Sequence, residues 1–193
     1  MPEPLRTERL HLRPWSEADA SLLLPLLEAN AAHLNGWIPR HVAEPAPLPE
    51  LRARLAGFAD DFAAARSWRF AIFSLDQETL FGEVDLFFRS EHGRVPLASA
   101  DRVEIGYWLR SDVTGRGYAT EASRAMVALA FGLPGMKHVE IRCDARNQAS
   151  AAVPKRLGFH LAHPGAIDGA GDKASSSDMI WILELPTMAA DMT

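Results

Sequence analysis

Hydrophobic and polar positions follow two different periods along the first part of the chain, and each period predicts one kind of element. Leucines alternate with polar residues over 9–13, which predicts a short half-buried strand. Apolar residues recur three and four positions apart over 49–66, which predicts a helix with its apolar stripe in the core. A Ser-x-x-Asp capping box opens a second predicted helix over 16–29, and we expect Pro25 to kink it or to divide it into two pieces.

Longer apolar runs predict the central strands. The runs 68–75 and 80–88 are separated by four residues and predict an antiparallel hairpin. The run 103–109 is dominated by β-branched and aromatic residues with Glu104 as its one charge, so it predicts a buried strand. A further strand is predicted over 138–144. Because a helix connects it to 103–109, we expect those two strands to be parallel.

A glycine-rich turn joins the strand 103–109 to a helix predicted over 119–130. The first N–H groups of a helix have no internal partner and lie at the positive end of its dipole, so this order suits a bound phosphate. Gly115 and Gly117 lack Cβ atoms and can bring their amides close to such a group. The same two glycines are also compatible with a turn that binds nothing. Neither a P-loop nor a GxGxxG dinucleotide fingerprint is present.

The residues on both sides of this turn carry a family resemblance. EIGYWL followed by TGRGYATEA resembles the acetyl-CoA-binding core of the GNAT N-acetyltransferases, whose turn reads [Q/R]-x-x-G-x-[G/A]. Here that turn is Thr114-x-x-Gly117-x-Ala119, and Thr114 departs from the usual Gln or Arg. TERLHLRPW near the start, and N-x-x-S followed by KRLGF near the end, are similar to the Rim-type branch, which contains the ribosomal-protein-alanine N-acetyltransferases.

The resemblance implies an α/β (α+β) fold of the GNAT type. Its mixed central sheet should have about six to seven strands and about four flanking helices, and residues 1–193 should form one domain. In this fold two parallel strands splay apart, here 103–109 and 138–144, and the pantetheine arm of acetyl-CoA enters the gap.

Acetyl-CoA is therefore the cosubstrate that the resemblance implies. The turn amides would hold its pyrophosphate, main-chain groups of the splayed strand would bind its pantetheine amides, and the N-x-x-S helix would supply a further contact. The implied cofactor-binding residues are Trp108, Leu109, Thr114, Gly115, Arg116, Gly117, Tyr118, Ala119, Asn147 and Ser150.

Two residues are candidates for catalysis. Glu104 occupies the strand position that supplies a base in several GNAT enzymes; the alternative is a carboxylate paired with Arg102 or Arg142, or one that positions a water. Ser150 occupies the family position of the group that donates to the departing thiolate. A hydroxyl in the first turn of a helix can instead bond locally to the backbone.

One helical irregularity follows from Pro154. A proline has no N–H, so the carbonyl of Ser150 loses its helical partner, and we expect the helix to bend there.

Composition and charge restrict the classes of partner. The 193 residues carry a formal net charge of −5, which disfavours a nucleic-acid binder and is compatible with a cationic amine. The seven histidines show no metal spacing and Cys143 is the single cysteine, so we predict neither a metal site nor an internal disulfide. No apolar run is long enough to cross a bilayer and no secretory signal is evident, so we expect a cytoplasmic protein without a membrane partner, monomeric or homodimeric.

The sequence therefore predicts an acetyl-CoA-dependent N-acetyltransferase in which a primary amine attacks the thioester directly. The acceptor is a protein N-terminus or a small amine, and the sequence does not distinguish them. Trp37 lies in the segment that borders the acceptor in this family; alternatively it caps the core. The rival function is a non-catalytic acyl-CoA-binding or sensor protein on the same fold.

Overall fold

The computed structural model of the chain describes residues 2–162 and 178–184. Within these ranges nine strands form one mixed sheet in the order β1-β2-β3-β4-β6-β7-β9-β8, with β5 paired to the end of β4. The strands are β1 (Leu5–Arg6), β2 (Leu10–Pro14), β3 (Ser67–Ser74), β4 (Leu80–Ser90), β5 (Gly93–Arg94), β6 (Arg102–Leu109), β7 (His138–Asp144), β8 (His160–Ala162) and β9 (Asp178–Glu184). The two strands beyond the predicted seven are β1 and β5, which have two residues each.

Five helices flank the sheet in the described residues, where about four were predicted. They are α1 (Ala20–Leu34), α2 (Arg40–Ala43), α3 (Leu48–Ala63), α4 (Tyr118–Phe131) and α5 (Gln148–Arg156). The additional helix, α2, is a single turn of four residues in the proline-rich segment. None of the helices in the described ranges has the length and apolar character that a membrane span requires.

The start of α1 confirms the capping box. The Asp19 carboxylate accepts a hydrogen bond from the Ser16 amide at 2.9 Å, and a single 3₁₀ turn leads into the helix. The helix does not end near Ala29 as predicted but continues to Leu34, with Pro25 inside it. The extra turn buries Asn30 and Leu34 against the second core cluster described next, and this burial outweighs the weak helical signal of the sequence there.

The two faces of the sheet have different characters because side chains alternate along each strand. On one face, Val84, Leu86 and Phe88 of β4 lie in an apolar core that also contains the inner side of α4. On the other face, a second apolar cluster packs beneath α1 and α3. That second face also holds a row of buried charged residues at the middle strands: Arg69, Glu83, Asp85, Arg89 and Glu140.

A parallel pair of strands opens in the middle of the sheet, as the resemblance implied. β6 and β7 are paired only from Arg102 and His138 to Ile105 and Ile141. Both strands continue beyond that point, β6 along β4 and β7 along β9. The sheet is therefore split between two strands that keep their outer partners.

Candidate active site

A cleft of about 980 Å³ passes through the split between β6 and β7. Its lining includes Tyr107 and Ser150 on the α4 and α5 side of the sheet and Asp85 and Glu104 on the opposite side. The cleft is thus open to both faces, so one molecule can enter from each side and the two can meet at the split.

Main-chain groups of β6 face this gap. The Arg110 amide donates to the Phe81 carbonyl oxygen at 2.8 Å, which continues the β4–β6 register by one pair. Because the main-chain groups of successive residues point to opposite sides of a strand, those of Tyr107 and Leu109 face the gap and those of Trp108 face β4. Leu109 thus offers main-chain groups to a ligand in the gap, whereas Trp108 contributes its side chain to the cleft wall.

The glycine turn presents amides without acceptors. Gly115 has φ +73° and Gly117 has φ +84°, both in the left-handed region that favours glycine, and Gly117 directly precedes α4. Among residues 2–162 and 178–184, no acceptor takes a hydrogen bond from the amides of 115–120. The arrangement is a helix N-terminus with several N–H groups directed outward, which suits an anion such as a pyrophosphate.

The side chains of the turn differ in their contacts. Thr114 donates from its hydroxyl to the Ser111 carbonyl at 2.8 Å, so in place of the usual Gln or Arg this residue closes the preceding turn. Arg116 is exposed, and its carbonyl accepts a hydrogen bond from Arg9 at 2.9 Å. The Tyr118 ring stacks on Phe81 with the ring centroids 5.0 Å apart. Ala119 lies at the cleft with the two glycines.

The connection between β1 and β2 holds this turn in place, which sequence reasoning did not predict. Arg9 donates to Glu121 in the first turn of α4, at 2.7 Å, and its guanidinium lies 4.6 Å from the centre of the Tyr118 ring. Thr7 donates to the same Glu121 carboxylate at 2.6 Å. These bonds connect residues more than 100 positions apart, and they fix the start of α4 relative to the sheet.

Ser150 lies at the cleft between a helix cap and a tyrosine. The Asn147 side chain accepts from the Ser150 amide at 3.0 Å, which confirms Asn147 as the helix cap. The Tyr107 hydroxyl lies 3.0 Å from Ser150 Oγ, where either atom can donate, and 2.9 Å from the Ser150 carbonyl oxygen. Burial raises the pKa of Tyr107, which keeps its hydroxyl protonated and able to donate.

The contact between Tyr107 and Ser150 also replaces the helical hydrogen bond that Pro154 removes. Pro154 lies inside α5, and the Ser150 carbonyl therefore has no N–H partner one turn later. The Tyr107 hydroxyl supplies the missing hydrogen bond from β6. The orphan carbonyl was visible in the sequence, but its partner, 43 residues away, was not.

Glu104 lies in an ion-pair network rather than alone. Its Oε2 accepts from Arg89 at 2.8 Å and lies 3.4 Å from Arg142 Nε. Arg142 also pairs with Glu140 at 2.7 Å, and Arg102 pairs with Asp101 at 2.8 Å. From the sequence, Arg102 and Arg142 are possible partners of Glu104, and of these Arg142 contacts it. The partner at hydrogen-bond distance is Arg89, which sequence reasoning did not name.

A second charged cluster lies beside it on β3 and β4. Arg69 donates to Glu83 at 2.8 Å and lies 3.5 Å from Asp85. Trp15 donates from its indole to Glu83 at 2.6 Å. Sequence reasoning placed this whole strand in the core and assigned no role to its charged residues.

Trp37 is an exposed aromatic residue at the cleft. It is 44% exposed and lines the cleft with the neighbouring segment. Arg146, from the loop before α5, lies 5.9 Å from its ring centroid. Within the described part of the chain, no group of three or more His, Cys, Asp or Glu side chains is arranged to hold a metal ion.

Comparison with known proteins places this geometry in a family. The profile of the acetyltransferase (GNAT) domain matches residues 9–160. "Putative ribosomal N-acetyltransferase YdaF" of Bacillus subtilis is 26% identical over 184 residues, which cover 90% of each chain.

Two solved structures have the same fold at lower identity. RimL, the ribosomal L7/L12 alpha-N-protein acetyltransferase in complex with coenzyme A, has a TM-score of 0.74 at 22% identity, over 95% of this chain and 98% of that one. The microcin C7 self-immunity acetyltransferase MccE, in complex with acetyl-CoA and AMP, has a TM-score of 0.75 at 19% identity, over 95% and 97% of the two chains. The chain with the split sheet and the open amide turn belongs to the GNAT acetyltransferase family.

Proposed function

We propose that this protein transfers the acetyl group of acetyl-CoA to a primary amine at the end of a peptide chain. The observation that carries the proposal is the cleft through the split sheet, with outward-directed amides at 115–120 on one side and the carboxylates of Asp85 and Glu104, among several arginines, on the other. An anionic cosubstrate and a cationic acceptor would then approach from opposite faces. This division is compatible with both the net negative charge and the proposed binding of phosphate at the turn.

The residues of the α4 and α5 side fit acetyl-CoA. The turn from Thr114 to Ala119 would hold the pyrophosphate, and the main-chain groups of Leu109 would bind the pantetheine where β6 runs without β7. Asn147 would contact the cofactor from the start of α5. Acetyl-CoA supplies the activated acetyl group as a thioester.

Three groups of the chain would assist the transfer. An N–H of β6 in the gap can stabilise the negative charge that develops on the thioester oxygen. Glu104, at the acceptor side, is the proposed proton acceptor for the attacking amine. Ser150 is the proposed donor to the departing thiolate, with the Tyr107 hydroxyl 3.0 Å behind it. The two-sided cleft also brings amine and thioester together, which itself accelerates the reaction.

A peptide N-terminus is the acceptor class that the relatives favour. The names of YdaF and RimL refer to ribosomal proteins, and RimL to an alpha-N-protein acetyltransferase. Trp37 and Arg146 lie across the acceptor side and would line the path of a peptide. The proposed location is the cytoplasm, where ribosomal proteins reside. The non-catalytic sensor gains no support, because the relatives are named acetyltransferases.

A mass-spectrometric screen tests the proposal. The protein is incubated with acetyl-CoA and two sets of acceptors, peptides with free N-termini and small amines, and acetylated products are identified. We expect products in the peptide set. Products among small amines alone would mean that the acceptor is a small amine and not a peptide. The absence of both acetyl-CoA binding and product would contradict the proposal as a whole.

Ser150→Ala is expected to lower kcat about 100-fold, within the range of positioned proton donors, while the Kd for acetyl-CoA changes less than about threefold. The reason is that alanine removes the hydroxyl but keeps the main-chain amide bonded to Asn147. Steady-state kinetics and calorimetry measure the two effects. Ser21→Ala is the matched control, because Ser21 is exposed on α1 and its hydroxyl donates to the Ala18 carbonyl. An unchanged kcat would remove Ser150 from the chemistry.

Glu104→Gln distinguishes the two roles considered for that residue. If Glu104 accepts the proton, the variant loses the acidic limb of the pH profile of kcat/KM and about 100-fold in rate. If Glu104 serves only to pair Arg89 and Arg142, the limb persists and the melting temperature falls. Measuring both quantities on one preparation assigns the residue to one role.

A further inference from the structure

Asp85 is a buried carboxylate at the cleft that the chemistry proposed so far does not use. Its side chain is 7% exposed, yet it lines the cleft wall. Its Oδ1 is buried without a hydrogen-bond partner, and its Oδ2 lies 3.5 Å from Arg69. Asp85 and the Glu83 carboxyl form a hydrogen bond with each other, which requires a proton on one of the two acids. Buried carboxylates are normally well supplied with donors, so a carboxylate in this state requires an explanation.

Asp85 lies between one carboxylate and two guanidinium groups, of which one is buried. Glu83 is two residues away on the same face, and Arg69 on β3 is the one buried guanidinium that serves both carboxylates. The other facing cation is Arg94 on β5, which is exposed and stacks on Phe87. Burial and the charge of Glu83 together raise the pKa of Asp85 well above its usual value. The cluster therefore favours one additional positive charge, either a proton or a cation from outside.

A glycine opens the path from Asp85 to the gap. Gly106 pairs with Asp85 across β4 and β6, and it is the first residue of β6 after the pairing with β7 ends. A Cβ atom at Gly106 would lie 3.4 Å from Asp85 Oδ2 and 3.3 Å from the Phe87 ring. These contacts are tight, so the Asp85 carboxylate and the edge of the Phe87 ring already reach over Gly106, and a small group that approaches this backbone from the gap meets Asp85 Oδ2. Glu104 is the next residue on this face of β6, so the same group would lie between the two carboxylates.

We infer that Asp85 receives the acceptor's amino group in its ammonium form, above Gly106 and beside the split in the sheet. The inference rests on the proposed function and names the residue that would recognise its substrate, a peptide α-amino group that is protonated near neutral pH. The ammonium would donate to the carboxylate oxygen of Asp85 that has no hydrogen-bond partner, and the reactive nitrogen would lie next to the gap. Neutral or weakly basic amines lack that attraction.

Asp85→Asn tests the inference with the shape of the side chain preserved. Two ligands are compared by calorimetry in the presence of CoA: the acceptor that the acetylation screen selects, and its analogue with a hydroxyl in place of the reactive amino group. We expect wild-type protein to prefer the amine at least about tenfold, and Asp85→Asn to reduce that preference below about twofold. The affinity for CoA should not change. Asp60→Asn, an exposed position on α3, is the matched control for removal of one negative charge.

Gly106→Ala provides a second test that leaves Asp85 intact. Its methyl group would occupy the space between the carboxylate and the gap, so we expect the same loss of preference. If Asp85→Asn unfolds, as a lowered melting temperature and lost CoA binding would show, Gly106→Ala decides alone. A wild-type preference retained in Gly106→Ala and in any folded Asp85→Asn protein would overturn the inference while leaving the transferase activity established. A screen that yields no acceptor would remove the proposed function and this inference with it.

Discussion

Gly117→Val is expected to weaken acetyl-CoA binding by about 10-fold to 100-fold, which corresponds to about 1.4 to 2.8 kcal/mol. Gly117 has φ +84° and ψ 0° at the cap of α4. A residue with a Cβ atom costs about 1–2 kcal/mol in this region, and a β-branched residue is especially unfavourable there. The turn would relieve the strain by changing its backbone angles, which turns the amides of 115–120 away from a common centre. Calorimetric titration with acetyl-CoA measures the loss.

Gly135→Val is the control for Gly117→Val, because it introduces a similar backbone strain at a position away from the cleft. Gly135 has φ +77° after the end of α4, open space around its Cβ position, and no place in the cleft. We expect this control to lose a similar amount of stability and to keep its affinity for acetyl-CoA. Equal affinities for Gly117→Val and wild type would mean that the turn does not hold the cofactor.

Arg69→Met is expected to lower the free energy of unfolding by about 3–5 kcal/mol, the usual cost of removing one partner from a buried ion pair. For a chain of this size, that is a fall in melting temperature of about 6–20 °C. Methionine keeps an unbranched apolar stem against Phe58 and Phe87, whose rings the guanidinium covers at 4.3 and 5.0 Å. The main loss is therefore the charge that Glu83 and Asp85 share.

The loss of unfolding free energy caused by Arg69→Met should increase with pH. The pKa of Asp85 is raised in the folded protein, so folding retains a proton that the unfolded chain loses at a pH of about 3.9. Stability contributed by such a group is present below the unfolded pKa and is lost as the pH rises through the folded pKa. Without Arg69 that pKa rises further, and the variant should lose more stability at pH 8 than at pH 5.5.

Arg66→Met is the matched control for the loss of one arginine. Its ion pair with Asp61 is exposed, with 55% and 40% of the two side chains accessible, so we expect a cost below about 1 kcal/mol. Thermal unfolding of the three proteins at both pH values makes the comparison. Equal costs for the two variants, or a penalty that does not change with pH, would contradict the account of the buried cluster.

Local patterns in the sequence predicted most of the elements, because each pattern acts over a few residues. The capping box at Ser16, the hairpin of β3 and β4, and the glycine turn before α4 were all visible as spacings. The ends of the helices depended on contacts that no local pattern encodes. The helix α1 runs to Leu34 because its last turn is buried against the rest of the protein, and α2 forms in a segment where prolines gave no helical signal.

The candidate site could be predicted only in part. A carboxylate, a hydroxyl and a turn that match a family pattern make Glu104, Ser150 and Gly117 candidates for the site. The Asp85 cluster has no such pattern, since two acids within an apolar run do not reveal whether they are buried or which cations they meet. Its properties follow from the register that sets Arg69 and Gly106 on either side of Asp85.

The sequence by itself determined the order of the elements, the left-handed turn and the loss of one hydrogen bond at Pro154, because these depend on the covalent chemistry of neighbouring residues. Only the tertiary structure decided how those features were completed. It brought the Tyr107 hydroxyl to the Ser150 carbonyl, Arg9 to the turn before α4, and Asp85 to the edge of the gap. Contacts between distant residues depend on strand order and register, and the packing of the whole chain selects these.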